Sequence, residues 1–210
     1  MNKILSNRVL RLLTEVLFLL IFGFLILQGR AQAWVIIFAF GILLSLFLSR
    51  LFCGWICPMA TVMRVIDWLY SKVPLKSPRA PNLVKKDGLR WLVLVLFLGT
   101  MIFSQRMGVK INLILYLFMA SLIISLFFGE EFWHRYLCPF GSILSLTGGR
   151  AFKSLKIDQD KCTGCGLCQR VCPGEAIETI DDEKRSIIKK ECLTCLNCQQ
   201  ICPVEAIEWR

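Results

Sequence analysis

Charge is scarce in most of this sequence. Charged residues make up 19% of the chain against 56% hydrophobic, and the two classes are not mixed. Long apolar blocks fill the first two-thirds and charge returns in the last third. That segregation excludes an ordinary soluble protein and predicts a membrane part followed by a soluble part. Acidic residues are rarest in the apolar part. Residues 1–150 contain 16 Lys/Arg and 5 Asp/Glu, whereas residues 151–210 contain 9 and 10, so the net charge of +10 belongs to the first region. A nucleic-acid binder would carry that excess on a polar domain surface. Here membrane topology and anionic lipid account for it, and no nucleic-acid partner is expected. The first apolar segment also runs too long for a removable signal peptide. The 11 cysteines are therefore not expected to be the staples of a small secreted domain. Metal is the stronger reading.

What is present begins with four apolar blocks, from about Val9 to Leu27, about Ala33 to Phe52, about Trp91 to Gln105, and Ile111 to about Phe128. A helix needs roughly 20 apolar residues to cross the hydrocarbon layer. The third block is short and turns polar at Thr100, Ser104 and Gln105, yet all four read as transmembrane helices. Of the 16 Lys/Arg in residues 1–150, all but Arg30, Arg106 and Lys110 fall at the outer ends or in the loop between the second and third helices. The positive-inside rule then places both termini, and the soluble part, on the cytoplasmic side of a bacterial or archaeal membrane. Ser71–Gly88 reads as a Pro- and Lys-rich connection. Before it, Val62, Val65, Ile66 and Leu69 recur at helical spacing and predict a short helix lying in the interface.

The apolar region repeats itself. Leu51–Ala60 (LFCGWICPMA) and Phe132–Gly141 (FWHRYLCPFG) align with Cys57-Pro58 on Cys138-Pro139 and Cys53 on His134, the single histidine. Each copy follows a pair of membrane helices. The membrane part is thus expected to be two helix-pair repeats, with both motifs on the cytoplasmic face.

In the soluble part, Cys162, Cys165, Cys168 and Cys172-Pro173 spell C-x2-C-x2-C-x3-C-P, and Cys192, Cys195, Cys198 and Cys202-Pro203 repeat it. This is the spacing of bacterial two-cluster ferredoxins. Three closely spaced thiolates wrap one [4Fe–4S] cube and the fourth reaches the other. Cys162, Cys165, Cys168 and Cys202 are expected to hold one cluster, and Cys192, Cys195, Cys198 and Cys172 the other. Zinc ribbons use two C-x2-C pairs, not two runs of four with a trailing proline. CPGEAIE and CPVEAIE each lead into a strand, with Ile177 and Ile207 over the clusters. Asp181, Asp182 and Lys184 mark a polar turn between the copies.

Cys53, Cys57 and Cys138 remain. A spacing of four puts Cys53 with Cys57, and His134 with Cys138, on one helical face. With the two repeats side by side, three thiols and one imidazole make a four-ligand set for a metal or cluster. Plain burial in helix packing explains these cysteines equally well, and both readings stand. Four of the seven prolines (Pro58, Pro139, Pro173, Pro203) directly follow a cysteine, which favours ligand geometry. Glu15, four residues after Arg11, is either an intramembrane proton acceptor or a salt-bridge partner of Arg11. Trp34, Trp91, Trp133 and Tyr136, near helix ends, read as an aromatic belt before they read as a quinone site.

Cys53-Gly-Trp-Ile-Cys57-Pro58 after the second helix, Tyr136-Leu-Cys138-Pro139 after the fourth, and the two ferredoxin motifs resemble the NapH/NosR-type membrane polyferredoxins over nearly the whole chain. The expected architecture is an α-helical membrane domain over 1–150 and an α+β 2[4Fe–4S] ferredoxin domain over 151–210. The resemblance implies a quinol-linked electron-transfer component of anaerobic respiration, a quinol dehydrogenase component working with partner redox proteins. The family's second membrane motif usually has two cysteines, whereas His134 takes the first place here. Similar proteins include a copper-reducing assembly factor. A metal-handling or metal-reducing role through Cys53, Cys57, His134 and Cys138 therefore stands as the alternative, beside a ferredoxin anchor with no reaction of its own.

Overall fold

The computed structural model describes residues 2–72, 87–108, 112–180 and 183–210. The connection expected over Ser71–Gly88 lies, between 73 and 86, outside the described residues, as do Asp181 and Asp182. The membrane part comprises α1 (Asn2–Leu27), α2 (Trp34–Leu48), α3 (Leu51–Trp55), α4 (Pro58–Lys72), α5 (Asp87–Arg106), α6 (Leu113–Phe132) and α7 (Pro139–Gly148). Among the described residues, four helical stretches are long and apolar enough to cross a membrane: Arg8–Leu27, Ala31–Leu48, Gly88–Arg106 and Leu113–Leu137. Their outward surfaces, with Leu13, Leu20, Val95 and Phe127 exposed, form the continuous apolar coat that lipid requires and water penalises. Inside, Phe22, Trp34, Phe38, Phe52, Met63, Phe140 and Leu144 make one core. Within it the Phe38 and Phe140 rings lie 4.6 Å apart in edge-to-face contact, a geometry aromatic quadrupoles favour.

Two membrane helices break where the apolar pattern runs on. The second block was expected to continue to Phe52, but α2 stops at Leu48, where Ser49 takes φ 57° and ψ −143°. Tertiary contacts override propensity there: Ser49 Oγ donates to Lys189 O at 3.2 Å and Arg50 turns toward Glu191. α6 runs past Phe128 to Phe132 with a kink at Gly129 (φ 72°, ψ 162°), and a π-helical turn over Trp133–Leu137 follows. The single helical face expected for each pair of ligands is therefore corrected. Cys53 lies in α3 and Cys57 in the break before α4; His134 lies in the π turn and Cys138 caps α7. Each break precedes a Cys-Pro pair, Cys57-Pro58 and Cys138-Pro139. The apolar stripe expected before the connection lies on α4. The helix packs through Met59, Ala60 and Met63, and Val65 and Leu69 are exposed beside Trp68.

The soluble part contains β1 (Leu155–Ile157), α8 (Leu167–Arg170), β2 (Ile177–Thr179), β3 (Arg185–Ile187), α9 (Asn197–Ile201) and β4 (Ile207–Trp209). β1 pairs antiparallel with β4, Ile157 opposite Ile207, and β2 with β3, Ile177 opposite Ile187. Gly164 and Gly166 take left-handed backbone in the first cysteine run. At the equivalent places of the second run stand Thr194 and Leu196, with φ 57° and 63°. Non-glycine residues stay in such conformations only where their surroundings over-determine them. For Thr194 those surroundings are the membrane part. Its hydroxyl donates to Leu48 O at 3.4 Å and its carbonyl accepts from Trp55 Nε1 at 3.0 Å.

Candidate functional site

Two cavities divide the ferredoxin cysteines. One is lined by Cys162, Cys165, Cys168 and Cys202, with Ile157 and Ile207. The other is lined by Cys172, Cys192, Cys195 and Cys198, with Ile177 and Leu196. The two cavities match each other in size, as two groups of one kind require. Cys172 and Cys202 each line the cavity of the other run. Backbone N–H groups point at those two sulfurs, Ala176 N to Cys172 Sγ at 3.3 Å and Ala206 N to Cys202 Sγ at 3.4 Å. Such bonds favour thiolate and tune cluster potential. Among the described residues no three His, Cys, Asp or Glu groups converge closely enough to hold a single metal ion. Thiols spread around an apolar cavity suit a larger polynuclear group instead. Burial pushes the Cys172 thiol up to about 11 and Cys192 up to about 12. Both are neutral until a metal displaces the proton.

The second run is pressed against the membrane motif. A Cβ added to Gly54 would lie 2.2 Å from Leu193 O and 3.2 Å from Cys195 Cα, so only glycine lets the two backbones touch. Arg11 Nη1 donates to Cys195 O and, at 2.7 Å, to Asn197 Oδ1. Glu191, directly before Cys192, is buried and accepts from Arg50 Nη1 at 3.1 Å and Arg90 Nη1 at 2.6 Å. In the first run, by contrast, Cys165 is exposed.

Cys53, Cys57, His134 and Cys138 are all buried. The three thiols lie within electrostatic reach of one another. Arg50 lies against Cys53 and donates to His134 O at 3.4 Å, which ties the two motifs together. Gly141 N donates to Cys138 Sγ at 3.3 Å. Burial, and then neighbouring Cys53, pushes the Cys138 thiol up to about 11. His134 Nε2 is buried without a hydrogen-bond partner among the described residues, a costly state for a ring nitrogen unless it meets a ligand.

Glu15 accepts from Arg11 Nε at 2.7 Å and from Arg64 Nη1, and Arg64 Nη2 donates to Gly54 O at 2.9 Å. Of the two readings of Glu15, the ion pair is the one seen. The aromatic belt is corrected: Trp34, Trp133 and Tyr136 are core residues, and of the four only Trp91 is exposed. Sequence reasoning missed Arg50, Arg90 and Glu191. Their partners lie 101 and 141 residues apart, and no local pattern signals such a pairing.

A 4Fe-4S binding domain model matches residues 30–76 and 113–156, and a 4Fe-4S dicluster domain model matches residues 154–203. An uncharacterized protein of Methanocaldococcus jannaschii is 32% identical over 82% of this chain and 76% of its own length. The ferredoxin-type protein NapH of Haemophilus influenzae is 29% identical over 60% of this chain and 48% of its own. The regulatory protein NosR of Stutzerimonas stutzeri is 26% identical over 60% and 20%. The matched region thus spans about half of NapH and a fifth of NosR. No solved structure matches the chain. Matched by these family models over residues 30–76, 113–156 and 154–203, the chain belongs to the NapH/NosR-type membrane polyferredoxins and is an iron–sulfur electron-transfer protein.

Proposed function

We propose that this protein passes electrons between the membrane quinone pool, or a membrane partner, and a redox partner protein on the cytoplasmic side. One observation carries the reading: Gly54, next to Cys53, is in backbone contact with the Leu193–Cys195 segment of the second cysteine run. That contact makes the membrane thiols and the ferredoxin thiols neighbours. Cys172, Cys192, Cys195 and Cys198 would hold the inner [4Fe–4S] cluster, and Cys162, Cys165, Cys168 and Cys202 the outer one. Bound there, the clusters supply one-electron acceptor and donor sites. The chain's own residues do the rest. Ile177 and Leu196 line the inner cavity, and exposed Cys165 opens the outer group to a partner. Cys53, Cys57, His134 and Cys138, which do not converge closely enough for a single metal ion, would hold a further, polynuclear iron–sulfur centre. The match of a 4Fe-4S binding model to this region and the unpartnered His134 Nε2 support it.

The quinol-linked role is supported by the resemblance to NapH. It is tested on anaerobically purified protein in liposomes by adding a reduced quinone and following cluster reduction by EPR. Quinol-driven reduction is expected, together with about eight iron atoms per chain from the ferredoxin part alone. Reduction by dithionite but never by quinol rejects the quinol role. Copper bound at the membrane motifs with no quinol response would establish the metal-handling alternative.

A further inference from the structure

A buried charge cluster lies between the two parts of the molecule. Arg50, Arg90 and Glu191 are 1%, 7% and 3% exposed. Glu191 Oε2 takes Arg50 and Oε1 takes Arg90. Arg90 is further held by Ser142 Oγ at 3.2 Å and Gly141 O at 3.2 Å. Both arginines keep their charge at any accessible pH, so one carboxylate faces two cations and one positive charge is left over. Burying an uncompensated charge costs several kcal/mol even after relaxation. Arg50 Nε has no partner among the described residues, and the guanidinium lies against Cys53. An anion at the membrane motif would complete the balance. If a dicationic [4Fe–4S] core were held there, three thiolates and one neutral imidazole would leave it a single negative charge. A fourth thiolate in place of His134 would leave two.

We propose that Arg50 is a positioning residue shared by two redox sites, setting the potential of both the membrane group (Cys53, Cys57, His134, Cys138) and the inner ferredoxin group at Cys192. For the membrane group this rests on the reading that a metal centre is held there. Arg50 stands three residues before Cys53, and its partner Glu191 directly precedes Cys192, so one ion pair spans both sites. A fixed cation stabilises the more negative, reduced state of a nearby centre, and a fixed anion opposes it. The two partners must therefore act with opposite sign. A merely structural role predicts no such opposition.

The test is an EPR-monitored redox titration, with iron analysis, of wild type, Arg50→Gln, Arg50→Lys and Glu191→Gln. In Arg50→Gln the reduced-to-oxidised ratio of the inner cluster at fixed ambient potential falls about tenfold, a shift of about 59 mV for one electron. In Glu191→Gln it rises by a similar factor. Arg50→Lys restores the wild-type value, and the outer cluster is unmoved throughout. Arg50→Gln also loses any iron held above the ferredoxin share. Wild type with no such iron removes the membrane centre but leaves the inner-cluster shifts as the test of Arg50. Shifts of the same sign in both variants, or none, overturn the proposal. If a single variant does not accumulate, the double variant Arg50→Gln/Glu191→Gln keeps the wild-type net charge. Its inner-cluster potential should match wild type, and a shifted one overturns the proposal.

Discussion

The contact between the membrane motif and the ferredoxin turns on a missing side chain. At Gly54 the obstacle to a methyl group is the Leu193 carbonyl, 2.2 Å from where Cβ would lie, and a backbone atom does not swing aside as a side-chain tip does. Overpacking of this kind costs about 1–3 kcal/mol, and here the strain falls on the seam between the parts. Gly54→Ala is expected to keep its iron and to be reduced by dithionite at the wild-type rate, while quinol-driven reduction slows. Stopped-flow measurement with both reductants checks this, and equal slowing with both would place the damage in the clusters instead. The eight ferredoxin cysteines were legible in the sequence because their spacing is dictated by the size of one cofactor. The reason for Gly54 was not, since it depends on Leu193, far along the chain. Arg50 and Glu191 were illegible on the same ground. A charge pair between remote segments leaves no periodicity, and each residue taken alone reads as an ordinary surface charge.

At the level of elements, the four membrane helices follow from their apolar length, but their ends do not. Apolar residues continue past Leu48 toward Phe52, so the pattern offers no reason for α2 to stop. The reason is a set of polar contacts from Ser49 and Arg50 to the ferredoxin part. In α6 nothing in the sequence signals the kink at Gly129, because a glycine in an apolar run is common in membrane helices. Its φ 72° and ψ 162° fall in a region that only glycine occupies without strain, and another residue there costs on the order of 1–3 kcal/mol. Gly23 offers the control, because a Cβ there meets nothing within 4 Å and its backbone is helical. Gly129→Ala should lower the thermal unfolding midpoint in detergent and loosen the turn that carries His134 and Cys138. Gly23→Ala should leave the midpoint equal or raise it, by up to about 1 kcal/mol of stability. Matching midpoints for Gly129→Ala and wild type would show that the kink is not required by the fold.

On the scale of the whole molecule, the basic ends of several helices meet the ferredoxin part. Arg8 reaches Gln200, Arg11 reaches Cys195, Arg50 and Arg90 reach Glu191, and Arg135 reaches the Glu175 carbonyl. Lys and Arg collect on the cytoplasmic side of membranes, so a reporter fused after Arg210 should be active only as a cytoplasmic reporter; activity of a periplasmic reporter there reverses the proposed orientation. The same asymmetry separates the two ferredoxin groups, because one faces Gly54 and the other faces outward at Cys165. Cys172 belongs by sequence to the first run but lines the inner cavity, and Cys202 belongs to the second run but lines the outer one. Each should therefore serve the group of the other run. Cys172→Ser is expected to lose about four of about eight ferredoxin irons, all from the inner group. The outer cluster should still be reduced by dithionite, but quinol-driven reduction should disappear, because the thiols next to the membrane motif no longer hold a centre. Cys202→Ser should lose the same share of iron from the outer group, with quinol still reducing the inner cluster and electron delivery to an external acceptor lost. EPR of the two variants under each reductant separates these outcomes. Loss of the outer cluster in Cys172→Ser, with the inner one intact, would refute both the crossed ligation and the inward-to-outward order built on it.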